Sequence, residues 1–355
     1  MAKPIVLIMA GGKGERFWPR SRESHPKQLR KVYSNKTLLE ETILRARTIA
    51  DAKDIYIGCN AELKKAILKT HKFPKDNFVV EPEGRNTAPI IALAALQLEK
   101  KFPGRTHVVL SADHFIAPPA EFKKTMKVAL ETAERGFLVT LGVKPSRPET
   151  GYGYIAAGKQ LWDTGALMIN SFVEKPDQRR AMSYIKKKNY YWNSGIFIWK
   201  GSLILSEFEN HAPEVLNPLK KSFNSAAALK KNFSKVPKTP IDIAIMEKSG
   251  TIAMVPATFT WDDVGSWLSL ERIVPEADGG NTLVASDSKT KLFSKNSEGN
   301  IVLSGRKLVA LLGVKDVIVV EEDDLLFVAS RDGVGDIKEM LAEFRKNPAL
   351  QKYLR

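Results

Sequence analysis

Pro4-Ile-Val-Leu-Ile-Met-Ala10 runs directly into Gly11-Gly-Lys-Gly-Glu-Arg-Phe-Trp-Pro19. A short apolar run without polar alternation is the pattern of a strand buried on both faces, as in parallel sheets. The glycines that follow let the backbone turn sharply and present N–H groups to an oxyanion, and Lys13 and Arg16 add positive charge. Gly11, Gly12, Lys13 and Gly14 are therefore candidates to hold phosphate, although the same letters also fit a glycine turn with no ligand. Two familiar loops are excluded. A P-loop requires Gly-x4-Gly-Lys-Ser/Thr, and a dinucleotide fingerprint requires a third glycine where Phe17 stands and an acid where Asn60 ends the second strand.

Outward from this stretch, helical and strand patterns alternate. An amphipathic segment at Thr37 to Ala50 is followed by a strand at Asp54 to Cys59, a helix near Glu62 to Lys69 and a strand at Phe78 to Glu81. A helix at Ala88 to Lys100 and a strand at His107 to Ser111 complete the series, which predicts a mostly parallel, Rossmann-like α/β sheet covered on both faces. Further strands at Phe137 to Gly142, Tyr152 to Ile155, Met168 to Glu174 and Gly195 to Trp199 are expected to add antiparallel members. From Thr282 to Ser330, short apolar runs separated by polar turns read as a small β domain, followed by helical spacing over Asp332 to Arg355. The expected division is a catalytic domain over 1–280 and the β domain with its terminal helix over 281–355.

Composition narrows the partners. With 43% hydrophobic and 27% charged residues, the 355-residue chain is an ordinary globular protein, and its net charge of +15 creates a field that attracts anions. Nucleic acid is disfavoured: the basic clusters Lys186-Lys-Lys188, Lys220-Lys221 and Lys230-Lys231 are short and scattered, with no nucleic-acid module motif beside them. The single cysteine, Cys59, rules out an intramolecular disulfide and a cysteine-based metal site. No apolar stretch is long enough for a signal peptide or a membrane span, so the expected location is cytoplasmic.

Pro26-Lys-Gln28 places a lysine shortly after the loop, suited to act as a point charge against a triphosphate, though a surface lysine is the ordinary reading of one such residue. With Pro26-Lys-Gln28, the segment Gly11 to Gln28 resembles the nucleotidyltransferases that make nucleoside diphosphate sugars, whose signature is GGxGxRFxPxS followed by PKQ. The similarity is strongest to their mannose-1-phosphate guanylyltransferase branch. It extends through Glu81-Pro-Glu-Gly-Arg-Asn-Thr-Ala-Pro89, Ser111-Ala-Asp-His114, Thr150-Gly-Tyr-Gly-Tyr-Ile155, Phe172-Val-Glu-Lys-Pro176 and Trp192-Asn-Ser-Gly-Ile-Phe197. Ile241-Asp242 with Met246-Glu-Lys248, and Trp261-Asp-Asp-Val-Gly-Ser-Trp267, complete the set.

The resemblance implies a GT-A-like nucleotide-diphospho-sugar transferase fold with a short left-handed β-helix-like C-terminal domain, often used in self-association, so a homodimer is expected. It implies GTP and mannose 1-phosphate as substrates, GDP-mannose as product and Mg²⁺ as cofactor. Another nucleotide or hexose 1-phosphate is the competing reading. Arg16, Lys27 and Lys175 are the expected catalytic cations. Glu81, Arg85, Asn86, Thr87, Ala88, Ser111 and Asp113 join the glycine loop in holding the nucleotide, although Arg85-Asn-Thr-Ala-Pro89 also reads as a capped helix start. Gly153, Glu174, Lys175 and Asn193 face the sugar phosphate, and Tyr152, Tyr154 and Trp192 pack its wall. Asp113 and Asp263 are the expected metal ligands, while Asp262 is structural. Asp113 ends a strand, where an Asp also serves as a helix N-cap, and Glu174-Lys175 also fits an exposed ion pair. Many bacterial relatives continue into an isomerase domain, whereas this sequence stops at Arg355, so a single activity is expected.

Overall fold

The computed structural model describes residues 2–12, 14–285 and 289–355. The apolar run forms β1 (Ile5–Met9), buried almost throughout. It is flanked by β2 (Ile55–Asn60) and β4 (Thr106–Ser111), both parallel to it, and β3 (Phe78–Glu81) adds to β2 in parallel. The connections include α1 (Leu38–Ala46), α2 (Ala61–Thr70) and α3 (Thr87–Lys101). In α3 nearly every residue from Ala88 to Leu98 is buried, because small and aliphatic side chains let it pack tightly on several neighbours.

Next come β5 (Phe115–Ala117), α4 (Pro119–Glu134), β6 (Leu138–Val143), β7 (Tyr154–Leu161), β8 (Ala166–Val173), α5 (Gln178–Ile185) and β9 (Tyr190–Lys200). β9 runs antiparallel to both β4 and β6 and converts the parallel sheet into a mixed one. After α6 (Gly201–His211), α7 (Pro213–Lys220) and α8 (Ala226–Phe233), β10 (Ile252–Pro256) returns parallel to β6. The nine strands lie in the order β3-β2-β1-β4-β9-β6-β10-β8-β7. Open sheets of this kind bind ligands beyond the carboxyl ends of their parallel strands. Register puts the ends of β3 and β4 on that edge, together with the start of β9 and the adjoining ends of β7 and β8. Cys59 of β2 is fully buried, and burial pushes its thiol up to about 12.

The rest of the chain contains β11 (Thr260–Asp262), α9 (Leu270–Ile273), β12 (Glu276–Ala277), β13 (Asn281–Ala285), β14 (Lys291–Lys295), β15 (Ile301–Ser304), β16 (Leu308–Leu312), β17 (Val317–Glu322), β18 (Leu325–Ser330) and α10 (Ile337–Lys346). β13, β15 and β17 stack in parallel, and β14 pairs in parallel with β16, so the chain coils in β-helix-like rungs. A buried amide step supports the coil: Asn300 Nδ2 donates to Asn281 Oδ1 at 2.8 Å.

Two compact units emerge, and sequence order does not separate them. The first comprises residues up to Gly11, Thr42–Ala112 and Ile116–Trp261 and holds the nine-stranded sheet. The second comprises Gly12–Glu41, Asp113–Phe115 and Asp262–Arg355. In its core, Phe17, Trp18 and Val32 pack with Trp267, Ile301, Ile318, Phe327 and Leu341. The aromatic residues of the glycine-rich segment therefore share a core with the C-terminal β strands.

Candidate active site

In the glycine-rich segment Gly12 has φ +86° and Gly14 φ +62°, conformations that a side chain strains. At Gly14 space is also lacking, since a Cβ there would lie 2.6 Å from Lys27 Cβ. The loop is anchored by its aromatic residues. Phe17 tilts against Trp267 with centroids 4.9 Å apart, and Trp18 meets Phe327 and Phe344 edge-on. Trp267 Nε1 donates to the Trp18 carbonyl at 3.0 Å, and Trp18 Nε1 donates to the Tyr353 carbonyl at 2.9 Å. Arg16 is exposed, and Lys13 lies outside the described residues.

Lys27 is brought to Asp113, 86 positions away. Its side chain is only 6% exposed, and its ammonium donates to Asp113 Oδ2 at 2.8 Å while lying 5.0 Å over the Phe17 ring. Burial pushes the Asp113 carboxyl up, but the positive charges of Lys27 and His114, with the Lys27 hydrogen bond, outweigh it and hold the carboxyl below its ordinary value. Asp262 spends both oxygens within the fold: Oδ1 accepts from the Val264 N–H at 2.8 Å and Oδ2 from Arg272 Nε at 2.6 Å. Asp263 is half-buried and accepts from the Gly265 N–H at 3.0 Å.

In the first unit, Glu81 ends β3 as a buried carboxylate whose Oε2 has no hydrogen-bond partner. Burial pushes it up to about 7; a hydrogen bond from the Arg85 backbone opposes the shift and the charge of Glu83 adds to it. The Arg85 guanidinium is engaged elsewhere, donating to Glu83 Oε1 and to the Val236 carbonyl, both at 2.7 Å. Asn86, at φ +69°, accepts from the Thr87 N–H and caps α3. Thr87 Oγ1 accepts from the Ile241 N–H at 2.8 Å, and the Ala88 N–H donates to the Thr239 carbonyl at 3.1 Å. Arg85 to Ala88 are thus laced along the segment 236–241. Ser111 ends β4, half-buried.

The same edge gathers Gly153, Glu174, Lys175 and Asn193. The Asn193 N–H donates to the Gly153 carbonyl at 2.8 Å. A Cβ on Gly153 would lie 2.8 Å from Glu174 Oε2, so glycine here provides room for the carboxylate. Lys175, 60% exposed, donates to Glu174 Oε1. Tyr152 stands edge-on to Trp192 and Trp261, with centroids 5.2 and 5.0 Å away. Beneath Asn193 lie two residues that motif reading left unassigned, Thr140 and Asp242. Thr140 Oγ1 donates to Asn193 Oδ1 at 2.8 Å, and Asn193 Nδ2 donates to Asp242 Oδ1 at 2.9 Å. Ile241-Asp242 was visible as a motif, but nothing in it announces that partner.

The nucleotidyl transferase family pattern matches residues 5–278, and the pattern described as MannoseP isomerase/GMP-like beta-helix domain matches 294–344. A mannose-1-phosphate guanylyltransferase of Klebsiella pneumoniae is 37% identical over 99% of this chain and 76% of its own length. The chain belongs to the mannose-1-phosphate guanylyltransferase family. Among further relatives, the alginate biosynthesis protein AlgA of Pseudomonas aeruginosa is 34% identical, over 96% of this chain and 72% of its own. The crystal structure of a Thermus thermophilus protein described as mannose-1-phosphate geranyltransferase has a TM-score of 0.88 and 31% identity, covering 97% of this chain and 99% of that one.

This family fold is the mixed, mostly parallel nucleotidyltransferase sheet with a β-helix-like C-terminal domain expected from the sequence. Within it, one group of predicted residues, Gly12, Gly14, Arg16, Lys27, Asp113 and Asp263, belongs to the second unit. The other, Glu81, Arg85 to Ala88, Ser111, Gly153, Glu174, Lys175 and Asn193, belongs to the first, as does Gly11.

Proposed function

We propose that this chain transfers a guanylyl group from GTP to α-D-mannose 1-phosphate, giving GDP-mannose and diphosphate. The observation that carries this reading is the ligand edge of the first unit's sheet, where Glu81, whose buried Oε2 has no hydrogen-bond partner, shares an edge with Glu174, Lys175 and Asn193. Guanine presents an N1–H and an amino group, both donors that a carboxylate can accept, whereas adenine presents an acceptor at N1. A hexose presents hydroxyls that donate to Glu174 and accept from Asn193.

An oxygen of the sugar phosphate attacks the α-phosphorus in line. Its bond to phosphorus forms as the bond to the β-bridging oxygen breaks, and diphosphate leaves with the electron pair. The attacking oxygen is already anionic, so alignment and charge neutralisation suffice without a general base. The backbone of Gly11, Gly12, Lys13 and Gly14 would hold the triphosphate, with Arg16 and Lys27 neutralising charge on the leaving diphosphate. Arg85, Asn86, Thr87 and Ala88 shape the base site, with Ser111 at the neighbouring strand end. Lys175 would hold the nucleophilic phosphate, while Glu174, Asn193 and the room at Gly153 receive the ring.

For the metal, Asp113 and Asp263 fit Mg²⁺. Both belong to the second unit, Asp113 stays ionised, and Asp262 is already committed to Val264 and Arg272. Two carboxylates suit an ion that takes its remaining ligands from water and substrate phosphates. When bound, it would neutralise charge developing on the transferring phosphoryl group.

A homodimer is supported by the exposed apolar side chains of Phe293, Leu308, Leu312, Leu326 and Val328 on the β-helix-like strands. A cytoplasmic location agrees with the single buried thiol, and among the described residues no helix is long and apolar enough to cross a membrane. The function is tested by measuring diphosphate release from four nucleoside triphosphates and a panel of hexose 1-phosphates, with and without Mg²⁺. Selective release with GTP and mannose 1-phosphate, dependent on Mg²⁺, is expected; clear activity with another pair and none with this one would overturn the assignment.

A further inference from the structure

Asp242 opens a five-residue π-helical turn, Asp242–Met246, a geometry frequent at functional sites. The turn is pinned from its N-terminal side by the contacts of segment 236–241 with Arg85, Thr87 and Ala88. The Asp242 carboxylate is half-buried and has the Glu174 carboxylate near it. Burial and then the nearby charge of Glu174 push it up to about 7, against smaller pulls from its own backbone, Lys175 and the Asn193 amide. A carboxylate held close to a second carboxylate is not a residue that packing alone selects.

Asn193 can lie in two orientations related by a half-turn of its amide, and its surroundings select one. Oδ1 accepts from Thr140 Oγ1 at 2.8 Å and from the Gly195 N–H at 3.3 Å, whereas Nδ2 faces Asp242. The amide carries two N–H groups, and Asp242 takes one of them. The second is left for a ligand oxygen, beside the Glu174 carboxylate that Gly153 admits.

We propose that Asp242 is a positioning residue: by accepting from Asn193 Nδ2 it fixes the amide orientation, so that Asn193 donates and Glu174 accepts at two hydroxyls of the bound sugar. This rests on the sugar-phosphate reading given above. It makes Asp242 a determinant of which hexose epimer is used, because a rotated Asn193 would offer an acceptor where the sugar needs a donor.

The test compares Asp242→Leu, Asp242→Asn and Thr140→Val with the wild type by steady-state kinetics, varying each substrate separately. Asp242→Leu is expected to raise the KM for the sugar phosphate about tenfold, the loss of one fixed hydrogen bond, while leaving the KM for the nucleotide within about twofold. Its preference for one hexose epimer over another should fall by a similar factor. Asp242→Asn keeps an acceptor oxygen for Asn193 and should restore the sugar-phosphate KM to within about threefold. Thr140→Val, which removes the hydroxyl that Asn193 Oδ1 and the Ile196 carbonyl share, should show the same selective effect in weaker form and supplies the result if Asp242→Leu does not fold.

Unchanged sugar-phosphate KM in both Asp242→Leu and Thr140→Val would overturn the proposal. So would an equal loss for both substrates, or a failure of Asp242→Asn to rescue. If the wild type uses a different hexose 1-phosphate, the mannose assignment falls while the Asp242 prediction is judged on that sugar; no turnover with any hexose 1-phosphate overturns both.

Discussion

Lys27 and Lys175 are the same residue type, assigned to the same chemistry, in opposite surroundings. Lys27 is 6% exposed, paired with Asp113 and set over the Phe17 ring, whereas Lys175 is 60% exposed and paired with Glu174 near solvent. An ion pair removed from water must be complete, because deleting one partner strands a buried charge. An exposed pair contributes little to stability. The lysine near the glycine loop is therefore built into the fold, whereas the lysine after β8 is available to a ligand at almost no structural cost.

The largest effect should come from Lys27→Ala. Loss of a cation that meets transition-state charge costs about 3 kcal/mol, a fall in kcat of about a hundredfold or more. Asp113, still 30% exposed, would lose its hydrogen-bonded partner, which should lower stability by about 1 kcal/mol, visible in denaturant titration. A variant with normal stability would break the contrast. Gly14→Ala is expected next: a side chain at φ +62° pressed against Lys27 should cost about 1–3 kcal/mol and lower kcat by displacing the lysine. Lys175→Ala should raise the sugar-phosphate KM about tenfold, the loss of one charge-assisted contact, with the thermal midpoint unchanged. A large drop in that midpoint would show that the two lysines are less different than their surroundings suggest.

The last effect concerns Glu81, a buried carboxyl with one oxygen that has no hydrogen-bond partner. The Glu81 carboxyl is raised from 4.5 to about 7, so over that window the native chain holds a proton that the unfolded chain has released. Glu81 therefore makes native stability fall as pH rises from about 4.5 to about 7, with no further change above. Glu81→Gln should lessen that fall, as measured by thermal melts across the window, while weakening nucleotide binding. A pH dependence identical to wild type would show that the carboxyl is not shifted.

Local pattern made the first half of the sheet legible. The run Pro4 to Ala10 became β1, and β3 spans Phe78–Glu81 as read, since apolar continuity and flanking turns are properties of neighbouring residues. β14, Lys291–Lys295, escaped because its Lys-Leu-Phe-Ser-Lys pattern is polar at both ends and only Leu292 and Ser294 turn partly inward. The site was legible as letters but not as partnerships. Trp18 and Trp267 stood out in their motifs, yet the contact that joins them spans 249 positions, and the bond from Lys27 to Asp113 spans 86. Such pairings are set by the tertiary fold, so single-sequence spacing holds no trace of them. Asp242 shows the same limit, since only the neighbouring strand supplies the amide that gives its carboxylate a purpose.

Cys59 has a practical consequence. It is the chain's only thiol, fully buried in β2 and held in its unreactive protonated form, so reagents that attack thiolates should pass over the native protein. A cysteine introduced anywhere on the surface would be the one position that a maleimide dye or spin label reaches. The natural sequence is thus already a background for single-site spectroscopic reporters, with no residue needing to be removed first.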